Sequence, residues 1–514
     1  MQKRSGMMDT QPVERRNFWG EMTAFLALFL DNVGTLIFFS AILIFTFHYP
    51  ADLILTRMIP GTALGICAGD LIYTALALRL RKKTGRMDVT AMPLGIDTPS
   101  TIGIAYAVMG PAYVATRDAQ LTWHIGMATL FMIGSVKVIT SFFGGWVQRL
   151  IPTAGLLGPL AGIGLMLLGF LPLMEIFNEA VVGMVALGII FTALMSRLEL
   201  PGKIPGVLAA LILGTGIHFA LGYGGYLPEF TRPTLEMRFA LPAFTIDFIT
   251  SLPRSIQYLT IAVPFGILTI IGGINNTESA RLAGDDYRTR DILLTEAVSS
   301  LIAAFFGGVA QTTPYIGHPA YKKMGATWLY TLLTAVFIGI GSIVGLLSLF
   351  VSLIPRAVIA PIFIFIGFEI MRQAYQDSPP AHSPAVSFGM LPAVASLVLI
   401  ILGQFTGALG VAPEKLPARL QVMIQTLTML SNGFIITGLL WGSMLAFLID
   451  HKAKLAALCA AVCAMLTLFG GIHSVMPTGE LYLPWRISGV AHYLLAGAYL
   501  ALAGVFLSAA RAEV

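Results

Sequence analysis

Long apolar runs separated by short polar or charged stretches dominate the chain. They lie near 20–46, 52–80, 122–148, 153–173, 176–196, 204–222 and 256–283, and again near 289–309, 328–354, 356–376, 384–408, 422–449, 453–473 and 487–510. A helix that crosses the hydrocarbon core needs about 20 such residues, so each run predicts a spanning helix. Two further stretches, 90–117 and 310–327, sit at the same depth but are broken by Pro and Gly. Together they predict sixteen membrane segments, numbered 1–16 in chain order.

Composition removes the main competing class. Of 514 residues 56% are hydrophobic and 11% charged, whereas a soluble domain carries roughly 25% charged residues. The chain is therefore expected to be an all-α polytopic membrane protein. Residues 1–18 form a polar tail, and the first apolar run is long enough to span, so no cleavable signal is expected. With the N-terminus on the cytoplasmic side, 21 of the 31 Lys and Arg residues fall on that side, Arg79, Arg81, Lys82, Lys83, Lys322 and Lys323 among them. This is the positive-inside pattern; it predicts a cell (inner) membrane protein with both termini cytoplasmic, and it explains the net charge of +5 without nucleic acid. Cys459 and Cys463, one turn apart, read as small core residues or as a thiol pair.

The two halves echo each other. Segment 1 carries Asp31-Asn32 and segment 8 carries Asn275-Asn276, polar pairs in otherwise apolar helices. Two segments after each pair comes a broken stretch, Thr90–Ser100 and Gln311–Ala320, each reading Pro, Gly, a polar residue, then Pro. Proline lacks an N–H and disfavours helix in the residue before it, so each stretch is expected to run extended and then helical. Seven segments separate the echoes, and an odd number inverts the second half. Inverted repeats with paired discontinuous helices are the mark of secondary transporters, whose substrate sits at the midplane between half-helix ends. The expected organisation is a first repeat at 19–222, a connection at 223–255, a second repeat at 256–450, and two additional helices at 451–514.

Residues 266–325, with Ser279-Ala280-Arg281-Leu282-Ala283-Gly284-Asp285-Asp286-Tyr287-Arg288-Thr289-Arg290 and then Gln311-Thr312-Thr313-Pro314-Tyr315, resemble the nucleobase–cation symporter family of xanthine and uracil permeases. Thr90–Ser100 resembles that family's first broken segment. The resemblance implies a 7+7 inverted repeat with a core domain (segments 1–4 and 8–11) and a gate domain (segments 5–7 and 12–14), plus two extra C-terminal helices. It implies proton- or Na+-coupled uptake of a purine or pyrimidine base, and dimerisation through the gate. The chain departs from the family at two places. A carboxylate expected on segment 8 falls at Ile271, beside Gly272 and Gly273, and the second expected polar position, after Tyr315, falls on Gly317 followed by His318. The alternative is a transporter of a small anion on the same fold, which sulfate- and bicarbonate-type carriers resemble. A channel or a membrane-embedded enzyme is a further alternative, although no metal-ligand spacing, catalytic triad, phosphate loop or cofactor motif is present.

Ionisable groups inside a bilayer are costly and mark function by default. The candidate substrate-binding residues are Asp31, Asn32, Asp97, Thr98, Ser100, Asn275, Asn276, Tyr315, Gly317 and His318. Each asparagine either lines the site or bonds a neighbouring helix. Asp97 either faces His318 across a cavity, where the pair could exchange a proton near neutral pH, or caps a helix. Candidate proton-coupling groups are Asp31, Asp97, Glu278, His318 and Glu369, with the alternative that Glu278 pairs with Arg281 and Glu369 with Lys137 or Arg372. Asp70 is one further buried candidate.

Overall fold

The computed structural model describes residues 18–143, 151–201, 204–228, 230, 232, 237–315, 317–409, 411, 415–477 and 479–512, and among these described residues the sixteen segments follow one another in the expected order. The tail at 1–17, Arg149, Lys203 and Ile316 lie outside the described residues. Segment 1 is the helix Phe18–Ala41 and segment 2 spans Ala51–Thr84. Segment 2 ends as a helix should, with Arg81, Lys82 and Lys83 in its last turn and Gly85 at φ +71° closing it. Segment 4 is Ala119–Thr140, its first turn capped by Asp118 Oδ1, which accepts from the Leu121 amide at 2.9 Å. Segment 8 runs through Leu259–Leu282 and segment 9 is Thr289–Phe305.

Among the described residues nine helices are long and apolar enough to cross a membrane, with a tenth if one bent pair is counted. Several segments predicted as full spans are thus shorter or bent. Segment 11 stops at Ile343 because the chain turns at Gly345, φ +81°. Segment 14 is two helices, Ala418–Ser431 and Phe434–Ile449, set at 70° across Asn432-Gly433. Segment 9 has only 17 residues and carries Glu296, buried against segments 4 and 8 rather than facing lipid.

Segments 1–4 and 8–11 pack on one another around a large apolar cluster that includes Leu28, Ile66, Met127, Phe265 and Tyr330. Segments 5, 12, 13 and 14 pack through small residues: Gly158 of segment 5 lies against Gly389 of segment 13, a Cβ on the former coming within 3.2 Å of the latter's Cα. The apolar cluster continues into these gate segments through Leu156, Phe363 and Phe434, so the two sets of helices meet across a packed seam. Segments 15 (Ala453–Leu468) and 16 (Ala491–Ala512) form a hairpin on segment 14, pinned where Tyr499 Oη accepts from Trp441 Nε1 at 2.7 Å and meets His473 Nε2 at 2.8 Å. Cys459 and Cys463 are free thiols in its packing.

Candidate functional site

The broken segments meet. Segment 3 enters as strand β1, Leu94–Ile96, and continues as the helix Thr98–Ile104; segment 10 enters as β2, Thr312–Pro314, and continues as the short helix His318–Lys323. The strands pair antiparallel, Leu94 opposite Pro314, Gly95 opposite Thr313 and Ile96 opposite Thr312. The pairing is prolonged at one end by the Asp97 amide donating to Gln311 O at 2.9 Å and at the other by Tyr315 N donating to Pro93 O at 2.8 Å.

A two-stranded ribbon leaves alternate backbone groups facing outward, and buried groups need partners. The flanking helices supply them in matching fashion. On β1 the Ile96 amide donates to Asn32 Oδ1 at 2.9 Å and the Leu94 amide to Asp70 Oδ1 at 3.1 Å. On β2 the Pro314 carbonyl accepts from Asn276 Nδ2 at 2.6 Å and the Thr312 amide donates to Ser300 Oγ at 3.2 Å. In each half, then, an asparagine from the first helix and a polar residue from the second clamp the strand. Lys137 of segment 4 adds a third grip, donating from Nζ to Thr312 O at 2.6 Å. Its other partner is Glu296, with Nζ–Oε1 2.7 Å and both side chains fully buried.

Asp31 stands beside this crossing. Its Oδ2 is buried without a hydrogen-bond partner and lies 3.9 Å from the position a Cβ on Gly95 would take, with the Tyr315 ring 3.4 Å from the same point. Thr98 Oγ1 is 3.1 Å from Thr35 Oγ1, and Ser100 Oγ accepts from Gln311 Nε2 at 2.5 Å. Gln311 also reaches Asp97 Oδ2 at 3.2 Å, while that carboxylate caps its helix through the Ser100 amide at 3.0 Å. A Cβ on Gly34 or Gly272 would meet nothing within 4 Å, so segments 1 and 8 leave open space near their polar pairs. Asn275 is exposed, on the opposite side of its helix from the buried Gly273 and Thr277.

The structure does not bring every candidate together. Asp97 and His318 lie at opposite ends of the strand pair and do not face each other: the antiparallel register carries the chain away from Asp97 and sets His318 Nε2 3.1 Å from Thr90 O. Gly317 precedes the short helix, between Tyr315 and Tyr321. Glu278 bonds Arg281 at 2.5 Å and Glu369 bonds Arg372 at 2.5 Å, both in half-exposed pairs three residues apart. Lys137 is committed to Glu296, which removes it as a partner of Glu369.

His318 belongs to a charged cluster at the end of the core. Its Nε2 is 3.3 Å from Asp285 Oδ2, which also accepts from Lys322 at 2.6 Å and from the Thr90 amide at 3.1 Å, with Arg86 3.3 Å from Oδ1. Burial would push the Asp285 carboxyl up, but the hydrogen bonds from His318, Lys322 and Thr90 outweigh it and hold it below the ordinary carboxylate range. The sequence pattern singles out neither Glu296 nor Ser300 as a site residue and shows Asp285 only within the resemblance; the signal for Glu296 is a carboxylate within an apolar run.

The fold is that of a core-and-gate inverted-repeat membrane protein. Among solved structures the chain is similar to the transmembrane domain of a cyanobacterium bicarbonate transporter, BicA (TM-score 0.51, 19% identity, 77% of this chain and 98% of that one). It is also similar to SLC26A9 (TM-score 0.50, 12% identity, 84% of this chain and 65% of that one). No protein-family profile and no curated protein matches it.

Proposed function

We propose that the chain is a secondary active transporter of a small anion that moves together with a coupling cation, by rocking of the core against the gate. The carrying observation is the strand crossing itself. Asn32, buried, and Asn276, half-buried, are spent on the strand edges rather than left to read a heterocycle, which favours the anion over a purine or pyrimidine. The likeness in fold to a bicarbonate transporter's membrane domain supports the same choice. Among the described residues around the strands, Asp31, Asp70, Asp97 and Glu296 stand against the single ammonium of Lys137. An anion entering such surroundings needs a proton or Na+ with it, because uncompensated charge in a low-dielectric interior is costly. Asp31, Thr98, Ser100 and Tyr315 would border the cargo. The Lys and Arg distribution supports a cell-membrane protein with both termini on the cytoplasmic side.

The test is uptake into proteoliposomes of radiolabelled bicarbonate, sulfate, chloride, uracil and xanthine, under imposed pH or Na+ gradients. Saturable uptake of an anion, stimulated by one gradient, supports the reading. Uptake of a base with none of any anion returns the cargo to the nucleobase class, and gradient-independent conductance makes the protein a channel.

A further inference from the structure

We infer that Glu296 is the carboxylate that takes the coupling proton, and that Lys137 passes its charge state to the anion site. This rests on the anion reading above. Lys137 Nζ bridges two groups, Glu296 Oε1 at 2.7 Å and the carbonyl of Thr312 in β2 at 2.6 Å. A titratable acid is thereby tied through one ammonium to the strand at the crossing. The second carboxylate oxygen, Glu296 Oε2, is buried on the side away from Lys137, and the carboxylate also has the Thr269 hydroxyl of segment 8 beside it. Oε2 is aimed at segment 8, 3.0 Å from the position a Cβ on Gly273 would occupy, and the Pro314 ring lies 3.5 Å from that point. Gly273, lacking a Cβ, lets Oε2 and the Leu293 side chain pack close against segment 8, and this second oxygen is the place for a proton.

The groups facing Glu296 come from every element around it. Segment 4 gives Lys137, segment 8 gives Thr269 and the end of the strand pair gives Asp97, while the Thr312 hydroxyl lies 3.4 Å from the Glu296 backbone carbonyl. Segment 2 gives Asp70 and Tyr73, whose hydroxyl donates to Ile292 O at 3.1 Å. With Glu296 ionised, the pair with Lys137 is neutral. When Oε2 gains a proton, an O–H bond forms, the carboxyl becomes neutral and the Lys137 charge is left uncompensated beside β2. An anion at the crossing then restores neutrality. Loss of the proton on the other side of the membrane re-forms the pair and expels the anion. One proton and one monovalent anion cross together with no net charge moved, whereas a divalent anion such as sulfate carries one net negative charge with it. If only the protonated form binds the anion, apparent affinity falls about tenfold for each pH unit above the Glu296 midpoint.

The test compares wild type, E296Q and the E296Q/K137M double variant, which removes both charges and so leaves neither buried unpaired. Uptake of radiolabelled chloride, sulfate and bicarbonate into proteoliposomes is measured with and without a pH gradient, and pH-difference infrared spectra are taken on the purified proteins without any anion. The expected result is gradient-stimulated uptake in wild type, gradient-independent uptake in E296Q, and loss of uptake in the double variant. The infrared band of a protonated buried carboxyl, present in wild type at low pH, is expected to be missing from E296Q. Gradient stimulation that survives in E296Q, or an infrared band unchanged by E296Q, overturns the assignment. Wild type that transports none of the three anions defeats the anion reading by itself; the infrared band then still decides whether Glu296 takes a proton.

Discussion

Replacing Asn32 with alanine separates two roles that the sequence leaves open, a contact to the cargo and a clamp on β1. Asn32 Oδ1 accepts from the Ile96 amide at 2.9 Å and its Nδ2 donates to Leu28 O at 3.0 Å, all of it buried. Alanine leaves the Ile96 N–H without a partner in the membrane interior, which costs about 1–3 kcal/mol, and removes the bond to Leu28, worth about 1 kcal/mol more. The Asn32→Ala protein is therefore expected to be about 2–4 kcal/mol less stable than wild type with no ligand present. The readout is denaturant unfolding of the detergent-purified protein. Because the freed strand also carries the start of segment 3, the maximal uptake rate in proteoliposomes should fall far more than KM rises; a misplacement of about 1 Å can cost a hundredfold. Wild-type stability combined with a change confined to KM would refute the clamp and make Asn32 a cargo ligand.

Asp285→Asn should lower stability at neutral pH. A carboxylate held below its ordinary range contributes stability above that range and loses it as pH falls, so the gap between variant and wild type in thermal unfolding should close below about pH 4. Gly345→Ala places a side chain at φ +81° and against the Arg238 backbone, 2.7 Å from its carbonyl oxygen; a loss of about 2–4 kcal/mol in the same unfolding assay is expected. Glu278→Gln and Glu369→Gln, each removing half of a solvent-screened pair, should leave gradient-stimulated uptake within about twofold of wild type; loss of the gradient response in either would place a proton-coupling group there.

The order of sixteen segments, the inverted echo and the two interruptions were legible because each is a local property. Apolar runs set where helices can lie, Pro93 and Pro314 keep the approach to each break extended, and Pro99 and Pro319 sit in the first turns of the helices that follow, where a missing N–H costs nothing. The polar pairs Asp31-Asn32 and Asn275-Asn276 stood out for the same reason, as polar residues in apolar helices. Their roles were not legible. Asn32 and Asp31 are neighbours in sequence, yet one is consumed by a strand 64 residues away and the other keeps a free oxygen. Asp97 and His318 hold matching places in the repeat but end up at opposite ends of an antiparallel ribbon. No carboxylate stands at 271–273, but one arrives from segment 9, Glu296, with a lysine from segment 4 to balance it. The sequence alone determines the order of the apolar segments and the two stretches that Pro and Gly interrupt. Only the tertiary structure decides which buried polar group serves which partner, because in a medium without water each must find one across 175 residues of chain, as Lys137 finds Thr312, and that choice is made by packing.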